Sequence, residues 1–235
     1  MKKWVLLLCS ALSLTVAYGQ SREVRLNLNA GLFSFSGESA ERTSSINYDL
    51  RNEDGYTNNP YGAKGGLSYG LSIGVTRIFK RSWLIGMEAG YERLRSKITI
   101  DRISASDEFT SETIAADGRT YLNQNVINVY PKVGYRLATS RLNIDLVGGF
   151  DLAYCLSVYE SGRAQSSTRE FSTRRDRKTI RTDIRPRVQA NVSRGNYGVY
   201  VGYSRGLRNY RSGYVGGANG AWGNVLRFGV SRLLL

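Results

Sequence analysis

Eight segments of alternating apolar and polar residues run through the chain, and the connections between them alternate long and short. An alternation of period two is what a strand needs when its two faces meet different surroundings. Short connections on one side and long ones on the other are the layout of a barrel that enters a membrane from the side of its turns. The strands are read over 23–35, 67–79, 83–100, 122–137, 141–159, 183–193, 197–206 and 222–235. Tight turns are expected at 80–82, 138–140 and 194–196, and long polar loops at 36–66, 101–121, 160–182 and 207–221. The expectation is an all-β, eight-stranded antiparallel transmembrane up-and-down β-barrel. Ten strands is the alternative, if one long loop hides a hairpin.

The first strand sets Val24, Leu26, Leu28, Ala30 and Leu32 against Arg25, Asn27, Asn29 and Gly31, and the fifth sets Leu146, Phe150 and Leu152 against Asp145, Gly149 and Asp151. In a soluble sandwich the apolar face would be the core. In a membrane barrel it faces lipid and the polar face lines the lumen. Strand length favours the membrane, since a tilted span needs about 9–11 residues. Trp83, Phe79, Tyr135 and Tyr197 beside the turns, and Tyr69, Tyr91, Tyr154, Tyr203 and Trp222 towards the loops, suit two interfacial girdles.

The N-terminus supports export. Lys2 and Lys3 precede an apolar run over 4–16 and the small or polar residues Ala17, Tyr18 and Gly19. That is the order of a secretory signal peptide, read as residues 1–19, with the barrel over 20–235. The run is too short for a spanning helix of about 20 residues. Its loss leaves Cys155 as the one cysteine, so no internal disulfide is expected.

An eight-stranded barrel has an interior just wide enough for its own side chains. The inward faces carry Arg25, Glu88, Glu92, Lys132, Arg136, Asp145, Asp151, Arg185, Arg187 and Arg227. Buried charges must pair. Glu88 and Glu92 are expected to meet Lys132 and Arg136, and Asp145 and Asp151 to meet Arg185 and Arg187. This network reads as a plug of the lumen rather than an ion path.

Several chemistries are excluded. The chain has no histidine, so Ser–His and Asp–His hydrolytic sites and histidine-built metal sites cannot form. The loop acids Asp101, Asp107, Glu108, Glu112 and Asp117 lack a calcium-loop spacing. The Gly-rich stretch over 213–223 lacks the Lys-Ser/Thr of a phosphate loop. No catalytic residue, cofactor or metal is expected.

Loss of Lys2 and Lys3 lowers the formal net charge of +14 to about +12. Much of this lies in Arg169, Arg174, Arg175, Arg177, Lys178 and Arg181 of the 160–182 connection. On an exported chain a nucleic-acid partner is not expected. Arg suits bidentate phosphate contacts, so lipopolysaccharide is the candidate ligand of this loop, against a solvated mobile loop.

The recurrent Gly-Tyr pairs (Gly90-Tyr91, Gly134-Tyr135, Gly202-Tyr203), the Gly-Gln cleavage region and a last strand over 225–235 resemble the small outer-membrane β-barrel proteins of Bacteroidetes, the porin family or PorT-like barrels, similar in shape to OmpA and OmpX. The chain departs from many such barrels in ending on Leu233, Leu234 and Leu235 rather than an aromatic residue, Phe228 being the nearest. The resemblance implies residence in the outer membrane of a Gram-negative bacterium and a link to protein secretion across it. The expected function is non-enzymatic: a structural or interaction barrel in contact with outer-membrane lipid and other envelope proteins. A small pore for ions or solutes, an accessory component of a secretion machine, a histidine-free lipid-modifying enzyme and a soluble periplasmic β-protein are the alternatives.

Overall fold

A computed structural model describes residues 21–212 and 220–235; the expected signal peptide over 1–19 and part of the Gly-rich connection lie outside the described residues. The chain forms β1 (Ser21–Ser36), β2 (Thr43–Asp49), β3 (Asp54–Thr57), β4 (Lys64–Ile78), β5 (Trp83–Ser106), β6 (Ser111–Ala138), β7 (Asn143–Gln165), β8 (Glu170–Asp176), β9 (Thr182–Arg194), β10 (Tyr197–Arg205) and β11 (Trp222–Leu233). Eight of them close a ring in the order β1-β4-β5-β6-β7-β9-β10-β11, every neighbour antiparallel, with β11 pairing back onto β1. Closure removes the unpaired sheet edge that lipid would not tolerate. The three tight turns stand where the sequence places them. Ser82 at φ 64° and Gly195 at φ 56° take the left-handed conformation such turns require.

The long connections differ from expectation. The 101–121 stretch is not a polar loop: β5 and β6 run on to a turn at 107–110, reaching 24 and 28 residues. The 160–182 stretch carries the end of β7 and all of β8, which pair with each other. The 36–66 stretch hides the β2–β3 hairpin. That hairpin does not make a ten-stranded ring, because β2 pairs parallel with the outer end of β5 instead of entering the wall. The alternation of a strand persists in these segments at higher polarity, which is why they read as loops.

The polarity of the two faces exchanges along each long strand. On β5, Ile85, Met87 and Tyr91 are exposed on the outside while Glu88 and Glu92 are buried inside. Past Glu92 the outward positions become Arg93, Arg95 and Lys97, and the inward ones Leu94, Ser96, Ile98 and Ile100, all at 0–1% exposure. The same exchange takes β1 from Asn27 and Asn29 inside to Phe33 and Phe35 inside, and β11 from Arg227 to Val225. Up to this level the outside is an apolar belt suited to lipid. Beyond it the outside is polar and the inside is an ordinary hydrophobic core. Trp83, Tyr135 and Tyr197 are exposed at the turn end of the belt, and Tyr69, Tyr91, Tyr154 and Tyr203 at the other.

Two apolar clusters follow above the polar lumen. The first gathers Phe33, Phe35, Tyr61, Leu94, Leu122, Val126 and Tyr210 across the barrel's outer mouth. Phe35 makes edge-to-face contacts with Phe33, Tyr61 and Tyr210 at 4.9, 5.1 and 5.0 Å, each pair worth about 0.5–1.5 kcal/mol beyond its burial. The second lies in the extension, where Ile46, Tyr48, Ile98, Ile100, Ile103 and Phe171 pack between β2, β5 and β8.

Candidate functional site

The ten inward charges expected from the sequence all line the lumen, and they form three tiers. At the turn end, Arg136 donates two hydrogen bonds to Asp145, at 2.6 and 2.8 Å, and two to Glu23, at 2.6 and 3.1 Å. Arg25 donates to the same Glu23 at 3.0 Å. In the middle, Glu88 stands 3.6 Å from both Lys132 and Arg187 and accepts from Ser72 at 2.9 Å. The Arg187 guanidinium lies over the Tyr130 ring at 4.2 Å. In the upper tier, Arg227 donates to Glu92 at 2.6 and 2.8 Å, to Asp151 at 2.6 Å and to Ser204 at 2.6 Å. Arg185 stands 3.9 Å from Asp151 and donates to Asp183 at 2.7 Å and to Tyr210 at 3.2 Å.

Two expected pairings are corrected. Glu92 does not meet Lys132 or Arg136 and binds Arg227 across the barrel. Asp145 does not meet Arg185 or Arg187 and binds Arg136. Strand register explains both. Glu88 faces Tyr130, so Lys132 is its diagonal neighbour, whereas Glu92 faces Val126, six residues from Lys132 and ten from Arg136, about 20 and 33 Å along the strand. Asp145 directly faces Arg136 on β6, and on β9 it faces Asn191, four residues from Arg187. Sequence reasoning missed Glu23 and Asp183 as members of the network. Each sits two residues from a chosen Arg, with the same inward parity, which is the signal that finds them.

A small cleft of about 30 Å³ opens among Glu23, Arg25, Glu88, Lys132 and Asp145 at the turn end, room for about one water molecule. Above the upper tier the Phe33–Phe35–Tyr61–Tyr210 cluster crosses the mouth. Among the described residues no group of three or more Cys, Asp and Glu side chains is placed to hold a metal ion. Cys155 is unpaired and buried.

The basic segment is not a mobile loop. Arg169 lies over the Tyr48 and Phe171 rings and pairs with Glu53 at 3.2 Å. Arg175 and Arg177 lie over the Tyr56 ring. Arg177 donates to Glu160 at 2.8 Å and also to the Thr57 carbonyl, while the Thr57 amide donates to Glu160 at 2.9 Å. This clasp ties the end of β3 to β7 and to the residue that follows β8. Burial raises the Glu160 carboxyl above its ordinary pKa, opposed by the charge of Arg177. Arg174 and Arg181 are exposed, as is Lys178. The six residues therefore do not converge on one site. Of the loop acids, Asp107 accepts hydrogen bonds from the Phe109 and Thr110 amides, at 2.8 and 2.6 Å, and so closes the β5–β6 turn. Glu108 pairs with Arg51, and Asp101 with Arg102 at 3.3 Å.

No protein-family model matches the chain, and no curated protein matches it. Among solved structures it is similar to Neisserial surface protein A, at 13% identity over 91% of this chain and 98% of that one, with a TM-score of 0.36. It is also similar to Ail, the attachment invasion locus protein of Yersinia pestis, at 10% identity over 93% and 100% of the two chains, TM-score 0.34. The outer membrane protease OmpT from Escherichia coli shares 12% identity over 90% of this chain and 97% of its own, TM-score 0.36. The barrel of this chain stands on its own strand pairing.

Proposed function

We propose that the chain is an integral outer-membrane β-barrel protein of a Gram-negative bacterium, exported through its N-terminal segment, with a non-enzymatic structural or interaction role. The observation that carries this reading is the double seal of the interior. Three tiers of paired charge fill the membrane level, and an aromatic cluster closes the outer mouth. A barrel built to conduct would leave an aqueous path along its axis. What the chain invests in instead is a rigid extension beyond the belt, built from β2, β3, β8 and the outer halves of β5, β6 and β7. Its length and apolar core suit a surface that others contact: outer-membrane lipid, lipopolysaccharide, or envelope proteins. Membership of the porin or PorT-like group, and with it a place beside a secretion machine, is the finer form of the same proposal and rests on the Gly-Tyr strand pattern, the Gly-Gln region and the last strand over 225–235.

Two experiments test it. Carbonate extraction of membranes leaves the chain in the pellet; release into the supernatant would refute the integral-barrel reading. Planar-bilayer recording of the refolded protein gives no conductance steps above the bare bilayer; reproducible steps would overturn the closed-lumen reading in favour of a small pore.

A further inference from the structure

We infer that the outward wall of β5, β6 and β7, immediately beyond the apolar belt, binds the phosphate groups of an outer-leaflet lipid, with Arg93 and Arg95 as the first contacts. The inference rests on the outer-membrane reading above. It moves the lipid-phosphate site from the 160–182 segment, whose Arg169 and Arg177 are held within the extension by Glu53 and Glu160, to the barrel wall.

The geometry is specific. Arg93 and Arg95 occupy the two outward positions of β5 that follow Tyr91, an exposed aromatic at the belt edge. With a rise of about 3.3 Å per residue and a tilt of about 40°, they stand about 5 and 10 Å above Tyr91. The headgroup layer begins there and is about 5–8 Å deep on each side. Neither guanidinium forms an ion pair among the described residues. Arg93 donates to the Tyr69 hydroxyl at 3.4 Å and to the Tyr159 hydroxyl. Arg95 lies over the Tyr121 ring at 4.4 Å. Neutral aromatic partners fix the two forks without cancelling their charge, which leaves them free to take a bidentate anion.

The stripe continues upward. Arg119 on β6 and Arg163 on β7 are direct cross-strand partners, a like-charge arrangement that an anion between them relieves; Arg163 has only an exposed pair with Glu170 at 3.8 Å. With Arg174 they line a surface cleft of about 710 Å³. Asp117, Glu170 and Asp176 are the acids on this face and leave it with excess positive charge. At the same level β1 and β11 present Ser34, Ser36, Asn224 and Trp222, and β10 adds the single arginine Arg205 beside Asn224, so the positive charge is densest on β5, β6 and β7. An apolar belt running without a break into the Arg93 and Arg95 guanidinium groups, neither of them in an ion pair among the described residues, matches one occupant, an amphiphile with acyl chains below and phosphates above.

The test uses the full chain refolded in zwitterionic micelles, titrated with bis-phosphorylated lipid A and followed by its thermal midpoint. Wild type is stabilised in a saturable way. The Arg93→Gln/Arg95→Gln variant needs at least tenfold more lipid A, Arg119→Gln/Arg163→Gln is weakened less, and Arg175→Gln behaves as wild type. Dephosphorylated lipid A and inorganic phosphate do not reproduce the shift. Equal affinity of wild type and Arg93→Gln/Arg95→Gln, or an equal response to dephosphorylated lipid A, would overturn the inference while leaving the barrel intact. Response to a soluble sulfated polysaccharide alone, lost in Arg119→Gln/Arg163→Gln, would replace the lipid with a polyanion. Failure of every variant and of wild type to insert into bilayers would sink the membrane reading as well.

Discussion

Arg227 is the keystone of the upper tier, and its removal tests whether the lumen network holds the barrel together. Its side chain is 2% exposed, with Glu92 at 4% and Asp151 at 0%. Arg227→Met keeps most of the volume and removes every donor. Glu92 then retains the Asn29 amide at 3.2 Å as its hydrogen-bond donor, and Asp151 retains Asn128 at 3.0 Å and Arg185 at 3.9 Å. Stranding a buried carboxylate in this way costs about 3–5 kcal/mol. Asp151 keeps a cation, so the loss belongs mainly to Glu92, and a value near the lower bound, about 3 kcal/mol, is expected. Arg227→Met/Glu92→Gln removes the stranded charge and should recover about half of it, since a neutral amide has a smaller desolvation cost. The assay is urea unfolding of the refolded protein in micelles, read by the shift in gel mobility between folded and unfolded barrel. A loss below about 1 kcal/mol for Arg227→Met, or a double variant no better than the single one, would refute the claim that these charges are a desolvated, mutually dependent set.

Three further outcomes follow from the same geometry. Glu88→Ala strands Lys132 and Arg187 together and should destabilise the barrel by about 3 kcal/mol without producing conductance; a large conductance at unchanged stability contradicts the plug. Arg177→Ala breaks the clasp at the end of β3, and limited proteolysis should then cut within 50–60 and 166–180 while the membrane-embedded strands stay protected; an uncut extension would mean that the Ile98–Phe171 core alone suffices. The Asp107 carboxyl is held below its ordinary pKa first by the Phe109 amide and then by Thr110, and a lowered carboxyl stabilises the turn above the unfolded pKa and loses that contribution as pH falls through the folded one. The protection of the 107–110 amides relative to their intrinsic exchange rates should therefore fall on acidification below the ordinary carboxylate range, and Asp107→Ala should abolish that fall; identical protection profiles would show that the carboxylate does not close the turn.

The barrel was legible because eight strands alternate strictly and three turns are short. Leu28, Ile85, Phe150, Val188 and Val199 all point outward as their parity requires, at 59, 55, 53, 63 and 57% exposure. Inward parity placed the ten chosen charges in the lumen, while Glu23 and Asp183, of the same parity, were missed. Pairing was not legible, since parity says which face a residue takes and not which register its neighbour holds. Arg227 meets Glu92 because β11 curves back beside β1, a closure that sequence order conceals. The extension was hidden for a different reason. In 93–106 the inward residues are Leu94, Ile98, Ile100, Ile103 and Ala105 while the outward ones are Arg93, Arg95, Lys97 and Thr99. That is a sound strand with its polarity exchanged. From the sequence this strand runs to Ile100, and the remainder, from 101 on, reads as loop.

That exchange of polarity has a mechanical consequence. A membrane span takes about 9–11 residues, and β5 has 24. Roughly half of the strand therefore stands outside the bilayer, rising about 30 Å at about 3.3 Å per residue and a tilt of about 40°. The outward face cannot slide into lipid without burying Arg93, Arg95 and Lys97, and it cannot slide outward without lifting Ile85, Met87 and Tyr91 of the apolar belt out of lipid. Depth in the membrane is thus fixed in both directions by one face of the wall. Tyr91 and Arg93, two positions apart on one face, mark the level. A projection whose height is fixed in this way, with Cys155 unpaired among the described residues, holds its basic stripe at constant distance from the lipid surface, and this is the property a phosphate-contacting wall requires and a mobile loop cannot supply.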